Sequence, residues 1–216
     1  MKYGESLFDI AYLVFAIVMG ILILRRRKDR AGILMGSAVL VLGCGDAFHL
    51  VPRVLNYFIE SDFTFFLGMG KLVTSLTMTL FYFLMYYLYL CVYGETENRS
   101  LTRAVFVCTA LRVLLCLMPQ NHWFRNESTV LWGVLRNIPF LALGGIIIRL
   151  FYLKREAVPV LRHVWLLVTL SFLFYIPVAF VANLLPILGM LMLPKTVCYM
   201  ILIWVFRRYA EAPEAL

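Results

Sequence analysis

The stretch LFDIAYLVFAIVMGILILRRRKDR, residues 7–30, decides how the rest of the chain is read. Its apolar part, 7–24, is broken by one acid, Asp9, and ends abruptly in Arg25, Arg26, Arg27, Lys28, Asp29 and Arg30. A helix needs about 20 mostly apolar residues to cross the hydrocarbon core of a bilayer, and this run comes close to that length. A cleavable secretion signal carries its basic residues before the apolar run and ends at small residues. Here the polarity is reversed, so the segment is expected to remain in the membrane with its N-terminus outside.

Working outward, six further apolar runs follow at 31–51, 63–92, 101–118, 130–153, 160–185 and 187–206. The third is long enough to tilt. Of 216 residues, 63% are apolar and 15% charged, and the mean hydropathy is +0.88. Soluble domains are nearer half apolar and a quarter charged. These values exclude a water-soluble enzyme, a nucleic-acid-binding domain and a disordered tail. The expected fold class is all-α, a polytopic membrane protein built as a seven-transmembrane-helix bundle, with residues 1–216 as one transmembrane domain.

The net charge of +8 divides unequally between the two faces. Alternating the loops places Arg25–Arg30, Arg99, Arg103, Lys154, Arg155, Arg162, Arg207 and Arg208 on one side. The other receives Lys2, Arg53 and Arg125 with Glu5, Glu60, Asp62 and Glu127. The richer side is cytoplasmic under the positive-inside rule, so the C-terminus is expected inside. Cys44, Cys91, Cys108, Cys116 and Cys198 form no C-x-x-C pair and read as small buried hydrophobes.

Ionisable groups within spans are expensive and are functional-site hypotheses by default. The second span carries Asp46, His49 and Arg53, whose spacings of three and four put them on one helical face. On the third, Lys71, Thr74, Ser75, Met78 and Tyr82 repeat at helical spacing. Arg112 lies on the fourth, Arg136 and Asn137 on the fifth, Tyr175 and Asn183 on the sixth, and Lys195 on the seventh. All fall in the outer half of their spans. The cations face one clear intramembrane acid, Asp46, with Asp9 as a further candidate. Buried positive charge needs a partner, and the missing counter-charge points to an anionic ligand. Two structural alternatives stand beside that reading: Arg112 snorkelling to headgroups, and Asp46 pairing with Lys71 or Lys195 to hold helices together. Pro139, Pro177 and Pro194 interrupt three successive spans near the same level and free backbone carbonyls there. The tyrosine-rich stretch from Phe81 to Tyr93 reads as core packing and as an anchor at the cytoplasmic interface.

The segment Gly45-Asp46-Ala47-Phe48-His49-Leu50-Val51-Pro52-Arg53 resembles the Gly-Asp-x-x-x-Leu-x-Pro-Arg stretch of bacterial YhhN-type lysoplasmalogenases. The resemblance covers one helix end and implies hydrolysis of vinyl-ether lysolipids, with Asp46 as the catalytic acid. The second acid that the family carries on a late helix is absent, and Lys195 occupies that region. The family also has an extra span. Lys195 itself looks like the retinal-binding lysine of microbial rhodopsins. However, the seventh span has no Asp, and the third carries Lys71 where those proteins have acidic counterions. No retinal or other cofactor is expected, and no metal, since His49, His122 and His163 lie on separate segments.

Two functions of different class are therefore expected. One is an outward-facing cationic cavity that binds or transports an anionic small molecule or lipid headgroup, lined by Arg53, Lys71, Thr74, Ser75, Arg112, Arg136, Asn137, Tyr175 and Lys195. The other is a membrane-embedded lipid hydrolase using Asp46 and His49 as acid and base. Expected partners are membrane lipid and that anion, not nucleic acid, with a homo-oligomer as an open option. The expected location is the plasma membrane.

The orientation has a direct test. Single cysteines introduced at Asp29 or Glu95, in a background with the native cysteines replaced, should be shielded from an impermeant maleimide on intact cells. One introduced at Asn126 should be labelled. Labelling at Glu95 with protection at Asn126 would invert the topology.

Overall fold

A computed structural model of the chain describes residues 2–126, 129–181 and 185–212. Seven α-helices account for most of it: α1 (Lys2–Arg26), α2 (Arg30–Phe58), α3 (Thr64–Tyr93), α4 (Arg99–Leu117), α5 (Val130–Leu153), α6 (Val164–Val181) and α7 (Met192–Glu211). Four short 3₁₀ turns, Pro119–Asn121, Trp123–Arg125, Pro159–Leu161 and Pro186–Leu191, lie between them. Among the described residues there is no strand. Seven helices are long and apolar enough to cross a membrane. Asn183 and Glu127, both singled out in the sequence, lie outside the described residues.

Local chemistry sets the helix ends. Asp29 caps α2 by accepting a hydrogen bond from the Gly32 amide at 2.9 Å, and Asn98 caps α4 by accepting from the Ser100 and Leu101 amides. Such caps satisfy amides that have no partner within the helix. α3 ends at Gly94, whose φ of 61° is a left-handed conformation that glycine adopts without steric cost. The run at 130–153 coincides with α5 at both ends. α1 and α2 extend beyond their apolar runs into polar residues. The last helix starts later than its run, at Met192, because Pro186–Leu191 winds as a 3₁₀ turn. Pro194 therefore sits in the first turn of α7, where its missing N–H leaves no helical bond unmade. Pro139 and Pro177 do lie inside helices, as does Pro52.

The helices close a ring. Each packs on its sequence neighbour, α1 also packs on α7, and α3 reaches across to α5. α1 shows how one helix divides its faces. Ser6, Asp9, Tyr12, Leu13, Ala16, Gly20 and Ile23 point inward, while Leu7, Ile10, Val14, Val18 and Ile21 form an exposed apolar stripe at spacings of three and four. A stripe of this kind on every outer face would be an aggregation liability in water and is the surface that suits an apolar solvent.

The interior is aromatic. Tyr82, Phe140 and Phe172 meet with ring centroids 5.2–5.4 Å apart, and Tyr175 stacks edge-on against Phe140 at 5.7 Å. Of the tyrosines read as core packing and as an interfacial anchor, Tyr82, Tyr86 and Tyr89 are buried, and the Tyr86 hydroxyl is 2.6 Å from that of Thr102. They pack the core. The cysteines also divide: Cys116 and Cys198 are buried, but Cys44 and Cys91 lie exposed on the outside of the bundle, contrary to the expectation that all five are interior.

Glycine lets α2 and α3 approach. A side chain at Gly70 would collide with the Phe48 carbonyl, and one at Gly45 with Thr77. Gly145 faces open space. Gly70→Val should therefore lower the melting temperature in detergent, by the ~1–3 kcal/mol typical of overpacking. Gly145→Ala should leave it unchanged or raise it, by up to ~1 kcal/mol of helix propensity. A Gly70→Val protein as stable as wild type would refute the close α2–α3 approach.

Candidate functional site

Four helices carry polar side chains to one level, three of them cations. Lys71 is seven residues from the start of α3, Arg112 five from the end of α4, Arg136 six from the start of α5, and Tyr175 six from the end of α6. At 1.5 Å per residue these positions lie roughly 8–11 Å from the same end of the bundle. Lys195 follows in the first turn of α7. This end holds the α2–α3, α4–α5 and α6–α7 connections.

At that level lies a cavity of about 370 Å³. Asp46, His49 and Arg53 line it from α2, Lys71, Thr74 and Ser75 from α3, Arg112 from α4, Arg136 and Asn137 from α5, Tyr175 from α6, and Lys195 from α7. The eleven candidate residues thus face a single space. Met78 joins them, while Tyr82 lies one turn deeper in the aromatic floor.

The side chains differ in how far the protein already satisfies them. Arg112 is only 2% exposed, so it does not snorkel outward as the sequence allowed. Its Nη1 donates to the Arg136 carbonyl and to Asn137 Oδ1 at 2.9 Å, and its guanidinium lies 4.8 Å from the Phe140 ring centroid. The accepting carbonyl is the one next to Leu135, which Pro139 deprives of its helical N–H. Arg112 Nε is buried and has no hydrogen-bond partner among the described residues. Asn137 Oδ1 also accepts from the Tyr175 hydroxyl at 2.7 Å, joining α4, α5 and α6. Arg136 donates to Asn121 Oδ1 at 2.7 Å and lies over the Trp123 ring at 4.5 Å.

Arg53 is matched by acids. It donates to Glu5 Oε2 at 3.2 Å and lies 4.0 Å from Asp9 Oδ2, with Tyr57 donating to the same Glu5 oxygen. Asp9, the second acid noted in the sequence, therefore faces Arg53 and does not line the cavity.

Lys71 and Lys195 remain. Lys195 Nζ lies over the rings of Tyr175 and Tyr199, at 5.1 and 5.4 Å. Lys71 is exposed at the rim. Among the described residues neither lysine forms an ion pair within 4.0 Å, nor does Asp46. Asp46 instead accepts from the Tyr12 hydroxyl at 2.7 Å. His49 Nδ1 is buried without a partner among the described residues.

Sequence reasoning missed Tyr12, Asn121, Trp123, Phe140 and Thr196. Tyr12 lies three residues after Asp9, on the inward stripe of α1, a spacing that could have revealed it. Asn121 and Trp123 sit in the irregular α4–α5 connection, where no periodicity applies. Among the described residues, no cluster of three His, Cys, Asp or Glu side chains is placed to hold a metal ion.

Arg112→Met should destabilise the protein. It removes two hydrogen bonds donated by a charged group, each worth ~1.5–3 kcal/mol, and the loss should appear as a lower melting temperature in detergent. Tyr175→Phe removes one donor and should cost about 1 kcal/mol. Wild-type stability for Arg112→Met would show that Arg112 does not fasten α4 to α5. No family model, curated protein or solved structure matches the chain.

Proposed function

We propose that the chain is a multi-pass protein of the cell membrane, N-terminus outside and C-terminus in the cytoplasm, whose cavity opens outward and binds or transports an anionic small molecule or lipid headgroup. One observation carries this reading. Lys71, Arg112, Arg136 and Lys195 converge with Asp46 on one cavity, and none of them is in an ion pair among the described residues. An uncompensated charge taken out of water costs several kcal/mol. Carbonyls and amide oxygens offset part of this for Arg112 and Arg136, whereas the two lysines have aromatic faces at best. An incoming anion supplies what the protein does not.

The second reading is a lipid hydrolase of the lysoplasmalogenase kind. It is supported by Asp46 and His49, one turn apart on α2 and both lining the cavity, with no hydrogen-bond partner for His49 Nδ1 among the described residues. In that case the cations stabilise the anionic headgroup or developing charge, and Asp46→Asn should abolish turnover of a lysolipid while leaving its binding intact.

Replacing Lys71 or Lys195 by Met separates an anion site from a structural pair. Met keeps the stem and removes the charge. In the proposed site each variant should melt within about 1 kcal/mol of wild type, because the lysines have no partner to strand. Each should also lose the stabilisation that phosphate, citrate or phosphatidylglycerol gives the wild-type protein, which amounts to about 2.7 kcal/mol at one hundred times Kd. If Asp46 depends on either lysine, the single change should cost roughly 3–5 kcal/mol, and Asp46→Asn should recover it. That rescue would contradict the proposal.

A further inference from the structure

The cavity lining mixes charged and apolar side chains, and the mixture narrows the ligand. Resting on the anion-site reading above, we propose that the occupant is a dianionic phosphate monoester borne on an apolar chain. Three observations support this.

The first is charge. Five cations line the cavity: Arg53, Lys71, Arg112, Arg136 and Lys195. Three carboxylates oppose them, Asp46 in the wall and Glu5 and Asp9 on Arg53. Five against three leaves a formal excess of two positive charges. A carboxylate, a sulfate ester or a phosphodiester brings one negative charge. A phosphate monoester brings about 1.5 to 2 at pH 7, which balances the site.

The second is the kind of donor on offer. The hydroxyls that face the cavity have already given up their protons to the protein. Thr74 donates to the Gly45 carbonyl, Ser75 to the Lys71 carbonyl, Thr196 to the Met192 carbonyl and Tyr175 to Asn137 Oδ1. Most of the N–H groups left for a ligand belong to cations: the two ammonium groups and the remaining nitrogens of Arg136. A site that offers several charged donors suits a group made entirely of acceptor oxygens, and guanidinium is the side chain best shaped to phosphoryl geometry.

The third is the apolar part of the lining. Leu50, Met78, Phe140, Val178, Ala179 and Met192 line the same cavity. Its volume of about 370 Å³ equals roughly a dozen waters at ~30 Å³ each, more than a bare phosphoryl group fills. The apolar side chains take a chain attached to that group.

The experiment uses the purified full-length chain in neutral detergent at pH 8. Decyl phosphate, decyl sulfate and inorganic phosphate are each titrated below micelle-forming concentrations and followed by calorimetry. Decyl phosphate should bind at least about tenfold tighter than decyl sulfate, the factor that ~1.4 kcal/mol provides, although the two have the same tail. It should also bind at least about tenfold tighter than inorganic phosphate, which lacks one. Lys71→Met and Lys195→Met should lose the preference for phosphate over sulfate, and Lys71→Arg, which keeps the charge, should retain it. Equal binding of decyl phosphate and decyl sulfate, abolished by both Met variants, would overturn the dianion and leave the anion site standing. Inorganic phosphate binding as tightly as decyl phosphate would overturn the apolar chain. Absence of binding by all three probes to folded wild-type protein would overturn both this inference and the anion site.

Discussion

A positive charge inside an apolar layer must find electrons to face, and this bundle depends on how it meets that constraint. Arg53 reaches the acids of α1. Arg112 reaches a carbonyl beside Pro139 and the Asn137 amide oxygen, and Arg136 reaches Asn121 and the Trp123 ring. These contacts fasten α1 to α2, and α4 to α5 and the loop between them. Among the described residues Lys71 and Lys195 are in no ion pair, on two helices that both line the cavity. The charges that find partners tie helices together around the cavity.

The rest of the fold serves this arrangement. Gly45 and Gly70 bring α2 and α3 close enough for Thr74 to donate to the Gly45 carbonyl, which fixes Asp46 and Lys71 on neighbouring walls. Below them, Tyr82, Phe140 and Phe172 interlock as a floor. The hydroxyls of Tyr82 and Tyr199 meet at 2.9 Å, so the polar level ends in a tie between α3 and α7. A wider groove of about 540 Å³ lies near the other end, bounded by Ile33, Leu34, Tyr87 and Leu90 with Arg30, Glu95 and Glu97. Its one cation stands against two acids, so it lacks the cation excess of the cavity.

Much of this was legible in the sequence because two signals are strong. Apolar runs of spanning length locate helices well, and α5 coincided with its run at both ends. Polar residues at spacings of three and four declare a shared face, so Asp46, His49 and Arg53 were placed together before any coordinates. Likewise, Lys71 through Met78 read as one stripe. Less visible was what each charge pairs with, since partners lie on other helices. Tyr12, 34 residues from Asp46, and Asn121, 15 from Arg136, have no pattern that links them to their partners. Arg112 lies close enough to a helix end to snorkel, and only the approach of α5 turns it inward. Pro194 looked like an interruption because the late start of α7 depends on a 3₁₀ turn, whose spacing hydropathy does not register.

Density from electron cryomicroscopy, collected on protein purified in neutral detergent with decyl phosphate, tests the central claim most directly. The expected map shows a phosphoryl-sized feature within hydrogen-bonding distance of Lys71, Arg136 and Lys195, with Asp46 still bound to Tyr12. A map in which Lys195 or Lys71 closes onto Asp46 at ion-pair distance, with the cavity collapsed around that pair and no density between the helices, would contradict it.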